Sequence, residues 1–146
     1  MKITVYRIML GLGAFLMFFR FGGPALIYGT TGPGPFSEVW VEPGNATSLL
    51  LDADLRFFGA LLLGIGLIMI WLMWEVERGG TVLRIVAGAV LVGAVARIYA
   101  LVQFGSAGMA GTIPIVIEVA LPIALIVLQE SIHRDTQSAQ GHDAVL

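Results

Sequence analysis

Residues Leu55 to Trp74 read LRFFGALLLGIGLIMIWLMW, with one charge, Arg56, near the start. A hydrocarbon core about 30 Å thick is crossed by about 20 apolar residues in helical form, and this stretch has that length. Its apolar residues run continuously instead of alternating, which points to a helix and not to a barrel strand. Working outward, three further stretches have a similar character: about 5–28, 82–104 and 113–128. The last is the shortest and contains Pro114 and Pro122. The expected fold is an all-α integral membrane four-helix bundle occupying residues 1–130, followed by a polar, frayed tail over 131–146.

Composition agrees with this reading. The chain of 146 residues is 58% hydrophobic and 12% charged, and its mean hydropathy is +0.91. Soluble domains carry about twice that share of charge, so too little is present here to coat a water-facing surface. The net charge of −2 provides no basic field, which argues against nucleic acid as a partner. With no cysteine, disulfides, thiolate metal sites and iron–sulfur clusters drop out. The two histidines, His133 and His142, lie in the polar C-terminal stretch, so a histidine-ligated haem within the membrane is not expected either. We expect no metal and no cofactor.

Lys2 and Arg7 precede an apolar run as in a signal peptide, but Arg20 interrupts that run and no small-x-small cleavage site follows. A retained first helix is the expectation. Basic residues then set the orientation. Lys2 and Arg7 flank the first span, Arg78 and Arg84 bracket the turn between the second and third, and Arg134 follows the fourth. The 30–54 connection has no Lys or Arg and carries Glu38, Glu42, Asp52 and Asp54, while the 105–112 turn is uncharged. Both termini are therefore expected in the cytoplasm, with 30–54 as an external loop. That loop is rich in Gly and Pro, and Trp40 could seat it at the interface. It reads as a cover over the outer mouth or as a docking segment. Asn45-Ala46-Thr47 fits a glycosylation acceptor, a match of consequence only in a eukaryotic secretory route.

Charges inside the spans carry the functional signal, because each costs at least ~2.5–3.5 kcal/mol to insert and so requires a partner, a wet cavity or a route to the interface. The candidates are Arg20, Arg56, Arg97 and Glu118. At about 1.5 Å per residue, Arg20 lies roughly 12 Å, Arg97 roughly 10 Å and Glu118 roughly 8 Å below the outer boundary. Arg56 begins the second span at that edge. All four thus belong to the outer half. In one reading they are satisfied pairs, Glu118 with Arg97 and Arg56 with Asp52 or Asp54, that fix helix packing. In another, the arginine excess holds an anionic or carbonyl group of a lipid, fatty acid or quinone-like molecule, a role suited to the planar, permanently charged guanidinium. A proton or ion path through Glu118 is a third. Pro122 displaces the carbonyl four residues earlier, which belongs to Glu118 itself. Thr112 and Pro114 read as the cap and start of the fourth helix.

Small residues suggest where helices approach closely. Ala60, Gly64 and Gly66 form one stripe in the second span, and Gly88, Ala89, Gly93, Ala96 and Ala100 form another in the third. Ala60, Gly64, Gly88 and Gly93 are the expected packing positions. Phe57, Phe58, Trp71 and Trp74 read as lipid contacts and an interfacial belt.

The run Asp54-Leu55-Arg56-Phe57-Phe58-Gly59-Ala60, followed by Leu63-Gly64-Ile65-Gly66-Leu67, resembles the second-helix motif of a bacterial family catalogued as domain of unknown function 4345. So do Ala96-Arg97-Ile98-Tyr99-Ala100-Leu101, ending at Gly105, and Pro114-Ile115-Val116-Ile117-Glu118-Val119. The likeness covers the chain to about residue 130. It implies a small four-helix protein of the bacterial inner membrane, with Arg56, Arg97 and Glu118 at the family's polar positions. Arg20 and the acidic Gly/Pro loop have no counterpart in that likeness, and it implies no activity. The expected role is a non-enzymatic accessory subunit or a module binding a lipid or other amphipathic ligand, within a larger membrane complex or a homo-oligomer. The alternatives are an enzyme acting on a hydrophobic substrate with Glu118 as acid or base, and an oligomeric transporter or channel lined by Glu118.

Overall fold

The computed structural model describes residues 1–30, 46–76, 78–105 and 108–143. The helices are α1 (Lys2–Phe15), a π-helical segment (Leu16–Gly22), α2 (Gly23–Tyr28), α3 (Ala46–Trp74), α4 (Gly80–Phe104) and α5 (Gly108–Asp143). The π-helical segment joins α1 and α2 into one rod, since the residues at its two ends keep right-handed helical backbone. No strand occurs among the described residues. Four stretches are long and apolar enough to cross a membrane: Lys2–Tyr28, Ala46–Trp74, Gly80–Gln103 and Thr112–Ser138. The chain divides into two compact units, Leu10–Trp74 and Met1–Met9 with Glu75–Leu146.

In the Leu10–Trp74 unit the local sequence explains the π-helical segment. The Gly23 amide donates to the Phe18 carbonyl, five residues back. A Cβ on Gly22 would lie 2.5 Å from the Met17 carbonyl oxygen, and one on Gly23 would collide with that of Phe18. Only glycine accepts this crowding. Pro24 comes next and has no N–H to return to Arg20, the residue four before it. Gly22-Gly23-Pro24 therefore encodes the wide turn.

The same glycine bends into the helix contact. A Cβ on Gly59 of α3 would lie 2.5 Å from the Leu26 amide nitrogen and 2.7 Å from the Gly22 carbonyl oxygen. The two backbones thus touch without side chains between them, the geometry that small residues permit in membrane helices. Below this crossing the Phe18 ring covers Gly66, whose Cβ would come 2.8 Å from a ring carbon. Met73 packs beside Gly11, and Leu10, Ala14, Ala25, Met69 and Leu72 are buried.

Within each unit the packing positions expected from spacing are not the ones in contact. Ala60 is exposed, and a Cβ at Gly64, Gly88 or Gly93 meets nothing within 4 Å. Neighbouring residues on an α-helix point about 100° apart, so a stripe misplaced by one residue faces a different direction. Gly59 and Gly66, two turns apart, carry the contact on α3. On α4 the buried residues are Leu83, Val86, Ala87 and Ala94, and Gly93 is exposed.

In the other unit α4 and α5 pack against each other. Ile115, Pro122, Leu125, Gln129 and Ile132 form the buried face of α5, at spacings of three, four and seven residues. Two helix boundaries differ from the expectation. α3 begins at Ala46 and so includes Asp52 and Asp54, while 31–45, the rest of the connection expected to be external, lies outside the described residues with Trp40 and Asn45. α5 begins at Gly108, places Pro114 inside the helix, and continues through the polar stretch to Asp143. Side-chain ties explain that continuation. Lys2 donates to Ser131 at 2.7 Å and Asp135 at 2.8 Å, and Gln137 pairs with His133 at 2.9 Å across one turn. Hydropathy measures the length that a bilayer accepts, whereas these polar pairs lengthen a helix without adding hydropathy.

Candidate functional site

The last four carbonyls of a helix have no partners within it. At the end of α2 all four are accounted for. Gly29, held at φ +56°, donates its amide to Ala25 at 3.0 Å. Arg56 reaches across from α3 and serves the other three: Nη1 donates to Leu26 at 3.1 Å and Ile27 at 2.8 Å, and Nη2 to Tyr28 at 3.5 Å. Its Nε donates to Asp52 Oδ2 at 2.7 Å, one turn earlier on α3. Asp52 Oδ1 in turn accepts from the Thr30 amide at 2.9 Å and hydroxyl at 3.1 Å. A Cβ on Gly29 would strike that carboxylate, so the positive φ and the missing side chain are both needed. Arg56 is chosen over lysine by geometry, since a guanidinium fork can meet one carboxylate and several carbonyls together.

Arg97 of α4 and Glu118 of α5 lie in the second unit. Arg97 Nε stands 3.0 Å from Glu118 Oε2, with side-chain exposures of 43% and 22%. Oε2 is buried, and among the described residues no N–H points at it in hydrogen-bonding geometry. The contact is a charge pair, not an aligned hydrogen bond. Pro122, buried on the same helix, frees the Glu118 backbone carbonyl beside it. This turn of α5 therefore concentrates acceptors that attract the guanidinium.

Arg20 differs from both. It lies in the π-helical segment, is exposed, and makes no ion pair among the described residues. Its guanidinium carbon sits 5.6 Å from the centre of the neighbouring Phe21 ring. Of the four expected site residues, Arg20 and Arg56 belong to one unit and Arg97 and Glu118 to the other. Only the Arg97–Glu118 couple is in mutual contact within its unit. Among the described residues no cluster of three or more His, Cys, Asp or Glu could hold a metal ion.

A feature outside the sequence expectation lies where α4 begins and α5 passes it. A cavity of about 440 Å³ opens there, lined by Arg78, Arg84 and Arg134 with His133, Gln129 and Glu130. The sequence reading used those arginines only to orient the chain. No spacing rule links residue 78 to residue 134, and only the pairing of α4 with α5 brings them together.

These observations define a class: an all-helical membrane protein with four apolar crossings, tied internally by arginines. Within that class the chain belongs to the family described as Domain of unknown function (DUF4345), whose profile matches residues 5–129. The match reaches into all four apolar stretches and includes Arg20, Arg56, Arg97 and Glu118. No curated protein and no solved structure matches the chain.

Proposed function

We propose that the chain is a non-enzymatic membrane module, a small accessory subunit that holds amphipathic molecules against its helices. The observation that supports this most is how the in-span charges are used. Glu118, the acid within the sequence stretches 82–104 and 113–128, faces Arg97 at 3.0 Å. Arg56 is committed to three carbonyls and Asp52. Such residues hold helices together and have little capacity left for proton transfer. Among the described residues Arg20 is exposed on a span and makes no ion pair, and a lipid phosphate or fatty carboxylate supplies the compensation a membrane arginine requires. The proposal includes cytoplasmic termini, set by Lys2, Arg7, Arg78, Arg84 and Arg134, and residence in a bacterial inner membrane. Enzymatic and transport readings through Glu118 would both require the Arg97 pair to open.

The test is native mass spectrometry of the full chain extracted in mild detergent. Arg20→Leu should lose co-purifying anionic lipid while keeping its melting temperature. Equal lipid retention in Arg20→Leu and the unmutated chain would remove Arg20 from the binding role.

A further inference from the structure

We infer that the cavity between the start of α4 and the polar end of α5 is a binding site for a phosphate group. It is separate from the Arg97–Glu118 couple and does not depend on the role assigned to Arg20. Its volume of about 440 Å³ falls within the range of about 300–1,000 Å³ that small-molecule sites occupy.

Charge is the first argument. Among the described residues, Arg78, Arg84 and Arg134 line the cavity against one carboxylate, Glu130. Glu130 is shared, with one oxygen 3.3 Å from Arg84 and the other 3.8 Å from Arg134. Both contacts are long for charge-assisted bonds, which close to about 2.7–2.9 Å. Each guanidinium has five donors, so most remain unserved by one carboxylate. Arg78 is exposed and makes no ion pair among the described residues. The excess of positive charge therefore faces the opening.

The floor is built as well. Gln129 is only 6% exposed, and its amide lies over Gly80, where a Cβ would come 3.1 Å from Nε2. Nε2 donates to the Val76 carbonyl at 3.4 Å, a long bond that fixes the amide at the cavity wall. The helix start adds to the field. Gly79 is the N-cap of α4 and offers no side chain to the first amides of a 25-residue helix. Orphan N–H groups and the positive end of the helix dipole favour an anion at such a place. Planar forks, a buried amide and helix-start amides together suit tetrahedral oxygens carrying negative charge. A carboxylate would use fewer of these donors.

The phosphate could arrive on a lipid headgroup or free in solution. Location favours the lipid: both helices continue from the cavity into apolar spans, with Ile85 and Val127 exposed along them.

The test uses the full chain carrying Arg20→Gln, so that any lipid held there is absent from both arms. Melting temperature in detergent is followed on adding dioleoyl-phosphatidylglycerol, dioleoyl-phosphatidylcholine or inorganic phosphate. A rise of several degrees with phosphatidylglycerol that exceeds the one with phosphatidylcholine assigns a lipid headgroup. A rise with inorganic phosphate assigns a free phosphate. Either must disappear in Arg78→Gln, a substitution that breaks no ion pair among the described residues and keeps the test valid if Arg84→Gln fails to fold. No rise with any probe, or a rise that survives Arg78→Gln, overturns the site.

Discussion

Gly59→Ala should weaken the protein, although alanine is the better helix former. The new methyl would lie 2.5 Å from the Leu26 nitrogen, 2.7 Å from the Gly22 oxygen and 3.0 Å from the Ala25 carbonyl carbon. Carbon approaches oxygen or nitrogen comfortably at about 3.3 Å, so the shortest contact requires the two backbones to separate by roughly 0.8 Å. No rotamer relieves this, because every obstructing atom is main chain. A gap of that size forfeits about a quarter to a half of the dispersion energy of each contact it opens. Overpacking of this kind costs about 1–3 kcal/mol, against a gain of about 1 kcal/mol in helix propensity. The net loss is up to about 2 kcal/mol. Gly64→Ala on the same helix is the control, since its methyl meets nothing within 4 Å. It should gain up to about 1 kcal/mol. Both variants are measured by reversible unfolding in mixed detergent micelles, with Trp71 and Trp74 reporting. Equal stability of the two variants would refute the backbone contact at Gly59.

Two other outcomes follow from the same structure, and a third from the placement of basic residues in the sequence. Removing Arg97 or Glu118 alone should destabilise more than removing both, with a coupling on the order of 1 kcal/mol in a double-mutant cycle; Glu118→Gln should be milder than Glu118→Leu. Arg56→Lys should speed hydrogen exchange at the Gly29 and Thr30 amides, because one ammonium cannot serve three carbonyls and Asp52; unchanged exchange would show that the α2 end does not need the fork. The chain has no native cysteine, so Ser37→Cys should react with an impermeant thiol reagent only from outside, and tags at either terminus only from the cytoplasm.

The four crossings were legible in the sequence because hydropathy and helix length are linked by bilayer thickness. The Arg97–Glu118 couple was legible for a related reason: both residues were placed by depth from the same connection, so antiparallel neighbours meet. Helix ends were not legible. Residues 46–54 and 131–143 are helical through polar contacts, such as Lys2 with Asp135, between residues far apart in the chain. The close-packing face within the Leu10–Trp74 unit lies on other residues than the spacing pointed to, for another reason. The second span offers Gly59, Ala60, Gly64 and Gly66 within two turns, and composition alone cannot say which of them meets Gly22. Gly22-Gly23-Pro24 marks the π-helical segment, which the sequence reading passed over as part of one helix. The basic cavity carried none, since its arginines come from separate stretches.

The Arg56 clasp also bears on how the chain enters its membrane. When the first span leaves the ribosome, the carbonyls of Leu26, Ile27 and Tyr28 have no protein partner, because Arg56 is still unmade. Water must serve them, and a bilayer core offers none. The end of that span is thus held at the aqueous boundary until the second span arrives carrying its own donor fork. Insertion of the first hairpin then becomes a joint event, with the final depth of the first helix decided by a residue translated after it.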